Sequence, residues 1–225
     1  MQRLAASCAI LIALAAVAPA PATAGALRVT PVRVDIAPDR QFCALTIAND
    51  GEGPVSVQVR GYGWSKDADG TDRLDPATGP RVNPSILTLA RGASGLVRCS
   101  VAAPDNASRE EAWRLIVEEL PDLSEPLPAG GVRALLRLSI PVFRTPPAAR
   151  PRLSWSWRDS GTLHLANSGN AHVQVLGLDA DGGPLSTRAF YLLAGGEIDL
   201  PLAAHPRAIT ARTPEGTLAV AGTAP

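Results

Sequence analysis

The chain has no charge excess of either sign: 21 Lys+Arg stand against 21 Asp+Glu in 225 residues. That balance excludes the usual nucleic-acid binder, whose affinity comes from surplus cations neutralising phosphates. Aromatic residues are scarce, at 4 Trp, 3 Phe and 2 Tyr, which excludes a stacking platform for single strands. Histidine is nearly absent too. His164, His172 and His205 stand outside any HxH or HExxH pattern, so they read as surface or strand-edge residues and not as zinc ligands. No G-x-S-x-G elbow and no phosphate-binding loop occurs. Glu118 and Glu119 are adjacent, so on a strand they point to opposite faces and make a poor acid/base pair. Beyond residue 24 no apolar run is long enough to cross a bilayer, and no segment of useful length has a helical period. The chain reads as a non-enzyme without a cofactor, neither bound to nucleic acid nor integrated in a membrane.

Glycine and proline are plentiful, at 20 and 21 residues, and punctuate the chain at short intervals. Such spacing favours many short strands joined by turns. Residues 1–24 read as a signal peptide. Arg3 precedes an apolar stretch rich in Ala and Leu, which ends in Ala22-Thr23-Ala24, an A-x-A cleavage pattern. Export leaves Cys43 and Cys99 in an oxidising compartment. Each lies in an alternating apolar run, CALTI at 43–47 and VRCSV at 97–101, so a disulfide between adjacent strands is expected; two buried free thiols are the alternative.

Strand patterns fall at 27–36, 42–48, 55–64, 86–89, 95–101, 112–120 and 132–143, a series that points to an immunoglobulin-type sandwich. The polar stretch 66–73 reads as a hairpin turn on Asp69-Gly70, with a calcium loop of Asp67, Asp69 and Asp72 as the alternative. TPPAARP at 145–151 is a stiff linker, because each proline fixes its own φ. Beyond it, strand patterns at 153–157, 162–166, 172–178, 190–193, 198–202 and 218–220 make a second, smaller all-β domain. The expected organisation is signal peptide 1–24, first sandwich 25–144, linker 145–151 and second sandwich 152–225.

The stretch 132–140 differs from the other strands. Val132, Ala134, Leu136, Leu138 and Ile140 form one uninterrupted apolar row, followed by Pro141. One reading makes it the last strand of the first core. The other makes it an edge strand, since proline cannot serve a central ladder, and a long apolar edge invites pairing with another chain.

Several stretches in this order resemble the periplasmic pilus chaperones of the chaperone–usher pathway, above all the branch associated with spore-coat-protein-U-like pilins. They are LRVTPVRVDI at 27–36, LTIANDG at 45–51, VQVRGYGW at 57–64 and NPSILTLARGASGLVRCSV at 83–101, then WRLIVEELP at 113–121, RLSIPVF at 137–143 and LHLANSGNAHVQVLGL at 163–178. The resemblance implies an all-β protein of two immunoglobulin-like sandwiches in a boomerang arrangement. It implies a periplasmic chaperone that caps pilin or spore-coat-U-like subunits by donor-strand complementation and delivers them to an outer-membrane usher. Val132, Ala134, Leu136, Leu138 and Ile140 would fill the subunit's open groove. Arg33 stands where the family places an arginine that anchors the subunit's C-terminal carboxylate. The family's accompanying lysine is not matched, because Pro141 stands there; either Arg33 works alone, or Arg137 or Arg144 substitutes for the lysine, or subunits are anchored differently. The rival readings are an exported two-domain binding module, with Trp155 and Trp157 as its clearest aromatic pair, and a structural pilus or coat subunit.

Overall fold

The first apolar stripe, expected as one strand over 27–36, divides between two sheets. Leu27–Thr30 (β1) pairs antiparallel with Phe42–Asn49 (β3), whereas Val34–Ile36 (β2) runs parallel to Arg137–Arg144 (β10) in the opposite sheet. The chain changes sheets at Pro31, which has no N–H to continue the ladder. The computed structural model describes residues 27–104, 108–122, 132–159, 161–180, 183–202 and 206–222. The expected signal peptide 1–24 and His205 lie outside the described residues.

Between these elements run Val55–Lys66 (β4), Asp72–Asp75 (β5), Arg81–Asn83 (β6), Ile86–Leu89 (β7), Ser94–Ser100 (β8) and Glu111–Leu120 (β9). The only helical element among the described residues is a 3-10 turn at Pro76–Thr78. One sheet has the order β1-β3-β8-β6; the other is β2-β10-β9-β4-β5, with β7 also on β4. Their inner faces close on one core that includes Leu45, Ile47, Val57, Val97, Leu115 and Val142. These residues alternate along their strands with outward ones, which makes a two-layer sandwich. The stretch 66–73 is the expected hairpin: β4 pairs with β5, and Gly70 takes the positive φ of +81° that its turn demands. Asp67, Asp69 and Asp72 each hold a local partner, namely Arg73, the Thr71 N–H and Lys66.

The second domain comprises Leu153–Asp159 (β11), Thr162–Asn167 (β12), Val173–Val175 (β13), Gly177–Ala180 (β14) and Gly183–Ser186 (β15). It continues with Phe190–Leu192 (β16), Glu197–Pro201 (β17), Ile209–Thr213 (β18) and Gly216–Gly222 (β19). A sheet of order β15-β14-β18-β19-β11-β12-β17 faces the β13-β16 ribbon over a separate core around Leu163, Leu165, Val175, Leu178, Leu192 and Ile198. Trp155 belongs to this core, and Trp157 packs against it with the two rings edge to face at 6.4 Å, so neither offers a ligand platform.

Both domains use the same clamp. Asn49 and Asn167 are buried, and each side-chain amide donates to carbonyls of a neighbouring turn: Leu89 and Ala90 for Asn49, Leu192 and Leu193 for Asn167. Each Oδ1 accepts the N–H two residues on, from Gly51 and Gly169. These are the asparagines of LTIANDG and LHLANSG, fixed because a buried amide must satisfy both its ends.

Cys43 and Cys99 are direct register partners on β3 and β8 and form the disulfide, with their Cα atoms 4.9 Å apart and a sequence separation of 56. The bond joins neighbouring strands beside the first core, so the expected cost of replacing both cysteines by alanine is about 2–5 kcal/mol. Differential scanning calorimetry of the oxidised chain and the double variant measures it. Equal melting temperatures would mean that the bridge constrains little of the unfolded chain.

Candidate functional site

The row that begins at Val132 is built by one strand with unequal flanks. Along its whole length β10 pairs with β9, from Arg137↔Glu118 to Arg144↔Glu111. On its other flank β2 covers only Val142, Phe143 and Arg144. No strand among the described residues pairs with that flank at 137–141. Upstream the chain leaves strand geometry, yet stays tied to β9: the Glu119 N–H donates to the Leu136 carbonyl at 2.9 Å, and the Leu136 N–H donates to Glu119 Oε2 at 3.2 Å.

The apolar row passes gradually from inside to outside. Ile140 is 5% exposed and belongs to the first core, and Leu138 packs against that core from the rim. Leu136 is half-buried, Ala134 is exposed and Val132 is 92% exposed. The expectation of a uniform row of free anchors therefore needs correcting at Ile140, whose side chain its own sandwich already uses. Leu135, on the opposite row, is also exposed.

The candidate cations separate as clearly. Arg33, just before β2, lines a cleft of about 340 Å³ between the domains, facing Gln174, Thr213, Glu215 and Leu218 of the second domain. Its side chain is 36% exposed, lies 5.5 Å from the centre of the Phe143 ring and donates to Asp35 Oδ1 at 3.0 Å. Arg137 is exposed and paired with Glu118 at 3.2 Å. Arg144 is buried: it pairs with Glu111 and donates to the carbonyls of Ala102 at 2.7 Å and Arg40 at 3.2 Å. With those contacts Arg144 is a structural ion pair and drops out as a carboxylate anchor.

Sequence reasoning missed the wall behind the cleft. His172, expected at a surface or strand edge, instead stacks on Phe143 with ring centres 3.7 Å apart and planes 7° apart. Tyr191 meets Trp64 edge to face at 5.4 Å, and Trp64 lies 5.8 Å from Phe143. The Arg114 guanidinium covers Trp64 at 3.6 Å. Beneath the stack, the Glu110 carboxylate accepts from the His172 N–H at 2.9 Å, His172 Nδ1 at 2.8 Å and the Thr145 hydroxyl at 2.5 Å. Burial pushes the Glu110 carboxyl up, but the His172 hydrogen bond and charge, with the Thr145 hydroxyl, outweigh it and hold the group below its ordinary value. The 66–73 hairpin adds a further tie, its Ala68 carbonyl accepting from the Asp199 N–H at 2.8 Å. His164 sits elsewhere, on β12, against Asp199 and Glu197 of β17.

On one immunoglobulin-like sandwich, then, a strand is paired along one flank and, among the described residues, open over 137–141 on the other, and the sandwich meets a second all-β domain across a cleft lined by Arg33, Glu110 and Glu215. The profile of the family of pili and flagellar-assembly chaperones, PapD N-terminal domain, matches residues 26–150. The chain belongs to that family, whose fold is non-enzymatic. No curated protein matches it in sequence. Among solved structures it is similar to a chain of the CsuC–CsuE chaperone-tip adhesion subunit pre-assembly complex from archaic chaperone-usher Csu pili of Acinetobacter baumannii, at TM-score 0.73 and 19% identity, over 88% of this chain and 99% of that one. It is also similar to a chain of the Salmonella enterica SafA pilin complex with the SafB chaperone, at TM-score 0.65 and 16% identity over 88% and 97%. The E. coli chaperone DraB gives 0.61 and 20% over 84% and 90%. At such identities these likenesses show the two-domain fold. Among the described residues no helix is long and apolar enough to cross a membrane.

Proposed function

We propose that the chain is a periplasmic chaperone, exported by the signal peptide 1–24, with sandwiches at 25–144 and 152–225 joined by the linker 145–151. It caps pilin or spore-coat-U-like subunits by donor-strand complementation and delivers them to an outer-membrane usher. The observation that carries this reading is the flank of β10 at 137–141, which no strand among the described residues covers and which continues into the exposed apolar residues upstream. A subunit strand adding there gains main-chain hydrogen bonds, while Val132, Ala134, Leu136 and Leu138 enter the subunit's unfilled groove. Ile140 supports the strand from inside its own core.

The flank also sets direction. An added strand lies in the same lane as β2, end to end with it. Because β2 runs parallel to β10, a partner that also runs parallel presents its carboxyl end to Val32 and Arg33. Val32 is exposed there, and Arg33 supplies the charge for a charge-assisted hydrogen bond.

Capture from the native periplasm tests this reading. Tagged wild type is expected to retain a small exported protein with an incomplete sandwich, identified by mass spectrometry. Arg33→Ala is expected to retain roughly tenfold less of it, the loss of one charge-assisted contact worth about 1.5–3 kcal/mol partly offset by the strand pairing. Retention of only unrelated proteins, or of small ligands in the cleft, would replace this reading with the exported binding module.

A further inference from the structure

The sheet β1-β3-β8-β6 turns its outer face to solvent, and that face carries cations without counter-charges. Arg28, Arg81 and Arg98 point outward from it, and none of its four strands contains an aspartate or a glutamate. Arg28 is neutralised by Asp50, at 2.7 and 3.0 Å. Arg81 and Arg98 are exposed and have no ion-pair partner among the described residues. The register brings these two together: Arg98 on β8 stands opposite Ala44 on β3 and Asn83 on β6, and Arg81 is two residues from Asn83 on the same side. Neighbouring strands lie about 4.8 Å apart, so both guanidiniums share one patch.

Apolar side chains flank the pair. Phe42 is 68% exposed and Leu96 is 44% exposed, both on the side of the sheet that Arg98 takes. Neither belongs to a core. Between Phe42 and Arg81 the surface dips into a hollow of about 500 Å³, whose other walls include the small residues Gly79, Ser100, Ala102 and Ala103.

This chemistry selects among the partners such a face could take. A second copy laid face to face would gather four unpaired guanidiniums at an interface with no strand carboxylate to meet them. An acidic protein would have to offer a socket for a protruding phenyl ring at the right distance from its carboxylates. An anionic bilayer offers both without a matched shape, with phosphates for the arginines and the acyl boundary for the apolar side chains.

We infer that the outer face of this sheet is a peripheral docking site for an anionic phospholipid surface. Arg81 and Arg98 receive headgroup phosphates, with the hollow beside Arg81 giving room for one, while Phe42 and Leu96 enter the acyl boundary. Two cations and two apolar side chains make a reversible contact, not an insertion. The flank of β10 belongs to the other sheet, so this contact leaves it accessible. The inference needs export of the chain but not the donor-strand reading.

The test is flotation of the full mature chain with vesicles of phosphatidylcholine, alone or with one third phosphatidylglycerol. Binding to the anionic vesicles is expected to be at least tenfold stronger, and about 0.5 M NaCl is expected to remove the difference. Arg81→Gln with Arg98→Gln is expected to bring it down to the phosphatidylcholine level, and Phe42→Ser to weaken it about fivefold. Arg188→Gln with Arg207→Gln, exposed in the second domain, is expected to leave it within about twofold of wild type. Phe42→Trp reads the site by gain: its added emission is expected to shift to the blue on anionic vesicles. Equal binding to both kinds of vesicle, no binding, or equal losses in the two arginine pairs overturns the inference. So does a Phe42→Trp shift produced by soluble polyglutamate and not by vesicles, which would assign the face to an acidic protein. Subunit capture by the Arg81→Gln, Arg98→Gln chain is expected to equal wild type, so failure here leaves the donor-strand reading in place.

Discussion

Leu136→Asp is expected to abolish subunit capture and to leave the melting temperature of the free protein within about 2 °C of wild type, as for a substitution outside the core. Leu136 is half-buried and absent from the first core. Its main-chain carbonyl and N–H, not its side chain, tie it to β9. In a subunit's groove the same leucine would be enclosed, worth about 1.5–3 kcal/mol of apolar burial. Aspartate forfeits that and adds the several kcal/mol needed to desolvate an unpaired carboxylate. At about 1.4 kcal/mol per factor of ten, the sum exceeds a thousandfold in affinity. Ile140→Asp is the informative contrast: Ile140 sits in the core, so that change unfolds the first sandwich and loses binding indirectly. Calorimetry beside affinity measurement with the captured subunit separates the cases. Binding retained at wild-type strength by a folded Leu136→Asp protein would sink donor-strand complementation.

That contrast shows how far the residues alone could be read. A period of two from Val132 to Ile140 was plain, and so was its oddity. What alternation cannot say is where the sandwich ends along the strand. That boundary is set by the register of β10 on β9 and by the short reach of β2, both long-range pairings. Strands with clean alternation, such as Phe42–Asn49 and Thr162–Asn167, fell where expected, because buried and solvated faces leave opposite marks. Asp72–Asp75, Arg81–Asn83 and Gly183–Ser186 carry too little apolar character to stand out. Ile209–Thr213 was missed for another reason: one of its two inward residues is alanine, a weak signal flanked by threonine and arginine. The expected strands 27–36 and 172–178 each proved to be two, broken at Pro31 and Leu176 where the chain passes from one sheet to another.

The cleft was less legible than the strand. Arg33 was named only through the family resemblance, and Trp64, Arg114, Phe143, His172 and Tyr191 come from five separate segments and share no spacing. Only the docking of one sandwich on the other assembles them. Few aromatics in a chain do not mean dispersed aromatics: here a Trp, a Phe and a Tyr gather at the joint between the domains.

The joint carries the largest expected effect on stability, and Glu110 is its centre. The carboxylate accepts three hydrogen bonds, two from the second domain and one from Thr145 at the start of the linker. Its side chain is 1% exposed and that of His172 is 8% exposed. Glu110→Ala leaves the His172 N–H, its ring nitrogen and the Thr145 hydroxyl without their shared acceptor. Removing one member of a buried pair costs about 3–5 kcal/mol, roughly a 10 °C fall in melting temperature for a chain of this size. Glu110→Gln keeps an acceptor oxygen and is expected to lose less. The same carboxylate gives the joint an acid limit. Its folded value lies below the ordinary glutamate value, so its stabilisation is complete above that ordinary value and is lost as the pH falls through the folded one. Arg33, His172 and Glu215 face the same cleft. Acid is therefore expected to loosen the contact between the domains before either core melts, seen as a rise in radius of gyration by small-angle scattering while the far-ultraviolet spectrum stays constant. In Glu110→Ala the expansion is already present at neutral pH and no longer follows this titration. An expansion in that variant that still tracks acid as in wild type would assign the acid limit to another group and leave Glu110 a purely structural acceptor.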